Sequence, residues 1–116
     1  MNRAKFQYFR SRKHLQNVAS LACQHCGLIG STQASHSNAA HHGKGRSIRA
    51  SDEFTAALCA PDHYAVDQGR SMSRSARVEL WTKAHIATVR ELVRLNLWPV
   101  GVAVPEIENI AASSTV

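Results

Sequence analysis

The feature that most constrains the fold of this chain is the spacing of its three cysteines. Cys23 and Cys26 form a C-x2-C pair, and Cys59 stands alone much later in the chain. In a chain with no evident export signal, such a pair is more typical of metal ligands than of a disulfide. Tetrahedral zinc needs a fourth ligand, and both Asp62 and His63 lie at a suitable spacing from Cys59. A zinc ion would then join two distant parts of the chain.

A second candidate site competes for the same histidine. Pro61 predicts the start of a short helix that runs to about Gln68, with Gly69 as its stop. On that helix His63 and Asp67 are four residues apart, so both face one side, within reach of a single cation. Imidazole and carboxylate suit Mg²⁺, Mn²⁺ or Zn²⁺ with open positions. Spacing and ligand softness alone favour His63 as the fourth zinc ligand, and its pairing with Asp67 argues against that choice.

Two short strands are predicted between the cysteines. The stretch TQAS leads to His36, and the stretch FTAALC ends at Cys59; both show weak alternation of residue type. The residues between the two strands, 37–51, are rich in glycine, histidine and basic side chains, which is typical of a loop. We therefore expect a strand, a loop, a strand and a short helix in that order.

A long amphipathic helix is predicted over about residues 73–97, where apolar residues recur at steps of three and four. Ser71 and Ser73 are its candidate N-caps, and Pro99 is its expected end. The whole chain is predicted to form an α+β fold. Its segments are a basic lead-in as a short helix or extended arm (1–20), a domain with the packing helix (21–98) and a partly disordered tail (99–116).

The charge of the chain is unevenly distributed. Residues 1–51 carry eight basic residues and no acidic one, whereas the remainder has six basic and eight acidic residues. A field of one sign attracts polyanions, which favours nucleic acid as the partner. No run of about 18 apolar residues indicates a membrane span or signal peptide, so a cytoplasmic location is expected. The expected DNA-binding residues are Lys44, Arg46, Arg49, Arg12 and Lys13.

Six motifs together resemble one family. They are FRSRKHL, LACQHCG, SHSN, HGKGRSIRASDEFTAALC, HYAVDQG and LWTKAH, and they cover most of positions 9 to 85. Their order resembles the HNH, or His-Me finger, nucleases, and most closely the small phage and prophage nucleases of the YbcO-like kind, relatives of Rap (NinG) and Ref. The resemblance implies a zinc-stapled ββα-metal (HNH) finger with a basic N-terminal segment and a long C-terminal amphipathic helix.

The resemblance also implies roles for individual residues. His36, at the end of the first strand, matches the general base, and Asn38 matches a loop residue that orients that histidine or the scissile phosphate. His63 and Asp67 match the ligands of the catalytic divalent ion. Relatives carry a second cysteine where this chain has Asp62, so we expect this carboxylate to take the fourth structural zinc position. The other three zinc ligands are then Cys23, Cys26 and Cys59.

The expected function is therefore that of a metal-dependent DNA endonuclease. We expect it to act in phage or prophage recombination or DNA processing, on double-stranded or branched DNA, in the cytoplasm of a bacterial host. Its cofactors would be a structural Zn²⁺ and a catalytic Mg²⁺, Mn²⁺ or Zn²⁺, and a homodimer is kept open as the active species. The alternatives are a non-catalytic zinc-containing DNA-binding module and a degenerate nuclease retained for a protein partner.

Overall fold

Two paired strands form the centre of the structure, a computed structural model that describes residues 6–105. Strands β1 and β2 run antiparallel, and a short 3-10 helix, Ala40–His42, lies in the loop between them. The α+β fold class, both strands and the helix after β2 confirm the sequence-based predictions. The elements are α1 (Arg12–Ala19), β1 (Thr32–His36), β2 (Thr55–Cys59), α2 (Ala60–Gln68) and α3 (Arg74–Arg94).

One face of the hairpin packs against α1. Ala34 and Ala57 are partners across the strands, so their side chains lie on the same face. They pack with Val18 of α1 and Leu92 of α3, and Val18 and Leu92 are fully buried. The lead-in predicted over residues 1–20 is therefore part of the same core over the length of α1. Residues 6–11 have no regular secondary structure, and α1 follows them, so the short helix expected from the sequence is present.

The opposite face packs against α2 and the first half of α3. Ala56 and Leu58 lie on this face and form a buried cluster with Val66 of α2 and Trp81 of α3. The indole N–H of Trp81 donates a hydrogen bond of 2.9 Å to the backbone carbonyl of Ser35. Each face of the two-stranded sheet thus has its own helix, and α3 contacts both cores.

The long helix is shorter than its apolar pattern predicts. It begins after Ser73, whose hydroxyl accepts a hydrogen bond from a backbone N–H of the first turn, as expected for an N-cap. It ends at Arg94 because Asn96 adopts a left-handed φ of 59°. The N–H of Leu97 then bonds back to the carbonyl of Leu92 at 2.8 Å. This closing turn ends the helix without the proline that follows.

Gly69 ends α2, as predicted. Glycine is required here because of steric crowding and not because of a left-handed backbone. Its φ of −66° is open to any residue. A Cβ atom at this position would lie 2.3 Å from the carbonyl oxygen of Ala65, so a side chain would collide with the helix end. The glycine therefore lets the chain turn closely past α2 towards α3.

The predicted disordered tail falls mainly outside the described residues, since 106–116 are not among them. At the described beginning of the tail, the carbonyl of Val102 accepts a 2.9 Å hydrogen bond from the indole N–H of Trp98. Among the helices of residues 6–105, none combines the length and the apolar character needed to cross a membrane.

Candidate functional site

Three thiol groups and one carboxylate converge at the end of β2. The ligand atoms of Cys23, Cys26, Cys59 and Asp62 all lie within 4.8 Å of one another, and we call this group the cysteine cluster. The Sγ atoms of Cys26 and Cys59 are 3.7 Å apart, and Oδ2 of Asp62 is 3.3 Å from the sulfurs of Cys23 and Cys59. Tetrahedral zinc with bonds of about 2.3 Å to sulfur requires about 3.8 Å between two sulfurs. The donor set and its spacing therefore fit zinc.

The first two cysteines are brought together by a tight turn. The N–H of Gly27 bonds to the carbonyl of Cys23 at 2.9 Å, and Gly27 has a φ of 84°, which glycine adopts without strain. The N–H of Cys26 donates to Sγ of Cys23 at 3.5 Å. The N–H of Gln24 bonds to the carbonyl of Ala57 at 2.8 Å, so the turn is fixed to β2.

Asp62, and not His63, is the fourth member of the cysteine cluster, as the resemblance implied. Cys59 is the N-cap of α2, which places Asp62 in the first turn. Burial acts to raise the pKa of Asp62, but hydrogen bonds from Cys59 and Cys23 outweigh it and lower the pKa. Burial raises the pKa of Cys59 to about 12, so its proton must be displaced by a cation before it can ligate.

A second group of polar side chains lies between β1 and α2. Nε2 of His63 is 3.1 Å from Oδ2 of Asp67, one turn later on the same helix. Nδ1 of His63 is 2.8 Å from Oε1 of Gln33, and Nδ2 of Asn38 donates to Oδ1 of Asp67 at 3.0 Å. We call these four residues the α2 cluster. The side chains of His63 and Asp67 are 26% and 36% exposed, so solvent or a ligand reaches both.

The α2 cluster has the electrostatics of a cation site. The 3.1 Å contact with His63 lowers the pKa of Asp67, and Asn38 and the charge of Lys44 act in the same direction. The carboxylate is therefore ionised at neutral pH. A cation with bonds of about 2.1 Å at right angles holds neighbouring ligands about 3 Å apart, which the His63 and Asp67 pair matches. Two protein ligands and an exposed position suit a divalent ion that keeps open sites.

His36 has its hydrogen-bond partner outside the α2 cluster. Side chains alternate along β1, so Gln33 and His36 point to opposite faces of the hairpin. Gln33 contacts α2, whereas Nε2 of His36 lies 2.8 Å from Oδ1 of Asp52, on the side of α1. The expectation that His36 and His63 serve one site stays a prediction, and the two histidines have different partners in the structure. Gln33, which contacts His63, and His36 fall on opposite faces of β1.

Asp52 joins His36 to the N-terminal segment. It is 1% exposed and accepts hydrogen bonds from Nη1 of Arg10 at 3.0 Å and from the N–H of Ser11 at 2.8 Å. Burial acts to raise the pKa of Asp52, but the bond with His36 and the bonds from Ser11 and Arg10 outweigh it and lower the pKa. Burial also lowers the pKa of His36, so the imidazole is neutral at pH 7.

No family model, curated protein or solved structure matches this chain. The roles of its residues therefore follow from the arrangement of their own side chains. Two residues of that arrangement, Gln33 and Asp52, are missing from the sequence-based prediction. The alternation of β1 marks Gln33 as a polar side chain on one definite face. Asp52 has no local signal, because its partners are far away in the sequence.

The two histidines of the 3-10 helix differ in their surroundings. The ring of His42 stacks on Phe54 with centroids 4.1 Å apart, and its Nδ1 lies 2.7 Å from Oγ of Ser37. Burial, followed by the nearby His41 and His85, lowers the pKa of His42 to about 4. His42 is therefore a neutral packed side chain at pH 7, whereas His41 is exposed.

The basic loop is held in place by the N-terminal segment. The hydroxyl of Tyr8 donates to the carbonyl of Gly43 at 2.6 Å, and Nη2 of Arg10 donates to the carbonyl of Arg49 at 2.7 Å. These bonds fix the backbone of the loop while its charged ends face solvent. All five basic residues expected to contact DNA are exposed: Lys44, Arg46, Arg49, Arg12 and Lys13.

Proposed function

We propose that this protein is a metal-dependent endonuclease that hydrolyses DNA phosphodiesters, with the ββα-metal finger of the HNH family. The observation that supports the proposal is the geometry of the α2 cluster. His63 and Asp67 are separate from the cysteine cluster, lie 3.1 Å apart and are open to solvent. In this proposal zinc occupies the cysteine cluster, and Mg²⁺, Mn²⁺ or Zn²⁺ occupies the α2 cluster.

The residues around the α2 cluster have distinct roles in this proposal. A divalent ion on His63 and Asp67 would supply positive charge to a scissile phosphate and its leaving oxygen. Asn38 holds the carboxylate of Asp67 in position through its 3.0 Å hydrogen bond. Lys44, whose charge acts on Asp67, would contact the same phosphate. The exposed arginines of the loop hold flanking phosphates and so position DNA without reading its sequence.

The proposal gives His36 a positioning role in place of the general-base role implied by the resemblance. A base must lie within hydrogen-bond reach of the water it activates, directly or through one water. His36 is bonded to Asp52 on the α1 side, away from the face that α2 covers. A second histidine, His41, is exposed and lies three residues after Asn38. In this proposal His41 is the alternative to His36 as the group that accepts the proton of the attacking water.

Nicking of supercoiled plasmid with Mg²⁺ or Mn²⁺ tests the proposal. We expect His63→Ala and Asp67→Ala to abolish cutting while DNA binding and the melting temperature are kept, because both side chains are partly exposed. Gln68→Ala, an exposed position at the end of the same helix, is the matched control and should cut normally. Cutting at the wild-type rate by both ligand variants would reject the proposed site.

The same assay separates two further variants. His36→Ala is expected to lower stability and to keep a measurable cutting rate at low temperature. His41→Ala is expected to lower the cutting rate at unchanged stability. The opposite pattern would restore His36 as the base.

A non-catalytic zinc-containing DNA-binding module is the second candidate function. The exposed basic loop favours it, because these side chains can bind phosphates without any contribution from His63 or Asp67. Wild-type protein that binds DNA but does not cut it with Mg²⁺, Mn²⁺ or Zn²⁺ would establish this alternative.

A further inference from the structure

The imidazole of His63 has a partner at each ring nitrogen. Nδ1 lies 2.8 Å from Oε1 of Gln33, and Nε2 lies 3.1 Å from Oδ2 of Asp67. Gln33 belongs to β1 and the other two residues to α2, so the contact joins the strand to the helix. An amide oxygen only accepts hydrogen bonds, and therefore Nδ1 of His63 carries a proton in this arrangement.

The protonation of Nδ1 fixes what Nε2 can do. A neutral imidazole has one N–H, so with the proton on Nδ1 the other nitrogen presents its lone pair. That lone pair faces a carboxylate oxygen of Asp67 at 3.1 Å. Two electron-rich atoms at this distance repel each other unless a proton or a cation lies between them. A second proton on the ring, or a metal ion shared with Asp67, therefore satisfies the arrangement.

Asn38 holds the carboxylate of Asp67 by a hydrogen bond, as Gln33 holds the imidazole of His63. Its Nδ2 donates to Oδ1 of Asp67 at 3.0 Å, which leaves Oδ2 directed towards His63. In metal sites, the ring nitrogen of a histidine that is not a ligand usually donates to an oxygen, and this partner sets the tautomer. Two amide side chains, one from β1 and one from the loop after it, thus hold the two ligand groups of α2.

We propose that Gln33 is a positioning residue whose amide oxygen keeps His63 protonated at Nδ1, so that Nε2 is free to bind a divalent cation shared with Asp67. The inference rests on the proposed function in one respect, namely that the α2 cluster binds a divalent cation. Gln33 is exposed, so replacing it removes the hydrogen bond without emptying a core position.

Long-range ¹H–¹⁵N NMR of the protein without a divalent ion in the α2 cluster tests the tautomer directly. The spectrum identifies which ring nitrogen of His63 carries the proton. We expect the Nδ1–H form in the wild type and in Gln33→Glu, which keeps an acceptor oxygen. In Gln33→Leu we expect the Nε2–H form, which can donate to Asp67. An Nε2–H form in the wild type, or an unchanged tautomer in Gln33→Leu, would overturn the inference.

Binding of Mn²⁺, followed by the electron paramagnetic resonance signal of the free ion, measures the consequence for the cation. The protein carries zinc in its cysteine cluster during the titration. Gln33→Leu is expected to bind Mn²⁺ about tenfold more weakly than wild type, with Gln33→Glu restoring the affinity. Gln16→Leu, an exposed glutamine on α1, is the matched control and should bind as the wild type does.

The two measurements distinguish failure of the inference from failure of the proposed function. Wild-type protein that does not bind Mn²⁺ would reject the proposed function, and the tautomer would still decide the role of Gln33. Wild-type binding that Gln33→Leu leaves unchanged would overturn the inference alone.

Discussion

The carboxylate of Asp52 lies 2.8 Å from Nε2 of His36 and links the end of β1 to the segment before α1. The same carboxylate accepts hydrogen bonds from Arg10 and from the backbone of Ser11. One buried acid therefore joins three parts of the chain that are distant in sequence. The partners of His63 are different ones, Gln33 and Asp67.

The first prediction concerns the stability that Asp52 provides. Asp52→Asn keeps the shape of the side chain but weakens its hydrogen bonds to charged and polar donors. We expect the free energy of unfolding at pH 7 to fall by about 2–3 kcal/mol, as for hydrogen bonds to a charged group. Urea denaturation measures it. Asp67→Asn, an exposed site, should change stability by less than about 0.5 kcal/mol, and an equal loss in both variants would contradict the prediction.

The pH dependence of the same contact has a definite sign. The pKa of Asp52 is lowered in the folded protein, so its contribution is present above its ordinary value of 3.8 and is lost as the pH falls below that value. The wild type is therefore expected to lose stability more steeply than Asp52→Asn below about pH 4. If the free energy of unfolding fell equally with pH in the two proteins, the pKa of Asp52 would not be lowered by folding, and the prediction would be wrong.

The second prediction concerns His36. His36→Ala removes a partner of buried Asp52 and should lower the melting temperature. It should leave Mn²⁺ binding at the α2 cluster unchanged, because His36 lies on the other face of the hairpin. Equilibrium titration with Mn²⁺ beside a thermal melt checks both parts. Loss of Mn²⁺ binding in this variant would place His36 at the cation.

The third prediction concerns the cysteine cluster. A carboxylate is a harder ligand than a thiolate, so Asp62→Cys should bind zinc more tightly than the wild type, and Asp62→Ala more weakly. Competition with a zinc chelator, combined with metal analysis of the purified proteins, gives the order of affinity. We expect removal of zinc to lower the melting temperature because the ion joins the turn at Cys23 to the end of β2. Equal zinc affinity in all three proteins would exclude Asp62 as a ligand.

The fourth prediction concerns the neutral histidine of the loop. The pKa of His42 is about 4 in the folded protein, below the ordinary value of 6.5. The unfolded chain therefore takes up this proton first, and stability falls as the pH drops from 6.5 towards 4. His42→Gln should lose less stability than the wild type between pH 7 and pH 5, as followed by urea denaturation at each pH. Gln68→Ala, at an exposed position without a titratable group, should keep the wild-type dependence.

The fifth prediction concerns a buried hydroxyl between α3 and β2. Oγ1 of Thr88 accepts a 2.9 Å hydrogen bond from the N–H of Ala57 and donates to the carbonyl of Ala84. Thr88→Val preserves the volume but leaves that buried N–H without its partner, at a cost of about 1–3 kcal/mol in the free energy of unfolding. Thr82→Val, half-buried earlier on the helix, is the control. Equal effects would show that the hydrogen bond does not matter.

The sequence by itself predicted the elements that depend on local chemistry. The two short strands, the helix after Cys59 and the cap at Ser73 follow from patterns within a few residues. The cysteine spacing and the resemblance also predicted that Asp62 completes the cysteine cluster, and the ligand atoms do converge there. Local rules sufficed for the strands, the helix and the cap because these depend on neighbours in the chain. They sufficed for the cysteine cluster because thiolates and a carboxylate can share one metal ion.

Only the tertiary structure decided which residues meet. The period of two along β1 requires Gln33 and His36 to point to opposite faces, but it does not say which face each helix covers. That choice follows from packing: α1 covers the face of Ala34, and α2 covers the face of Leu58. It places Gln33 against His63 and leaves His36 with Asp52. Contacts between residues distant in sequence, and not the motifs themselves, therefore determine the composition of the candidate site.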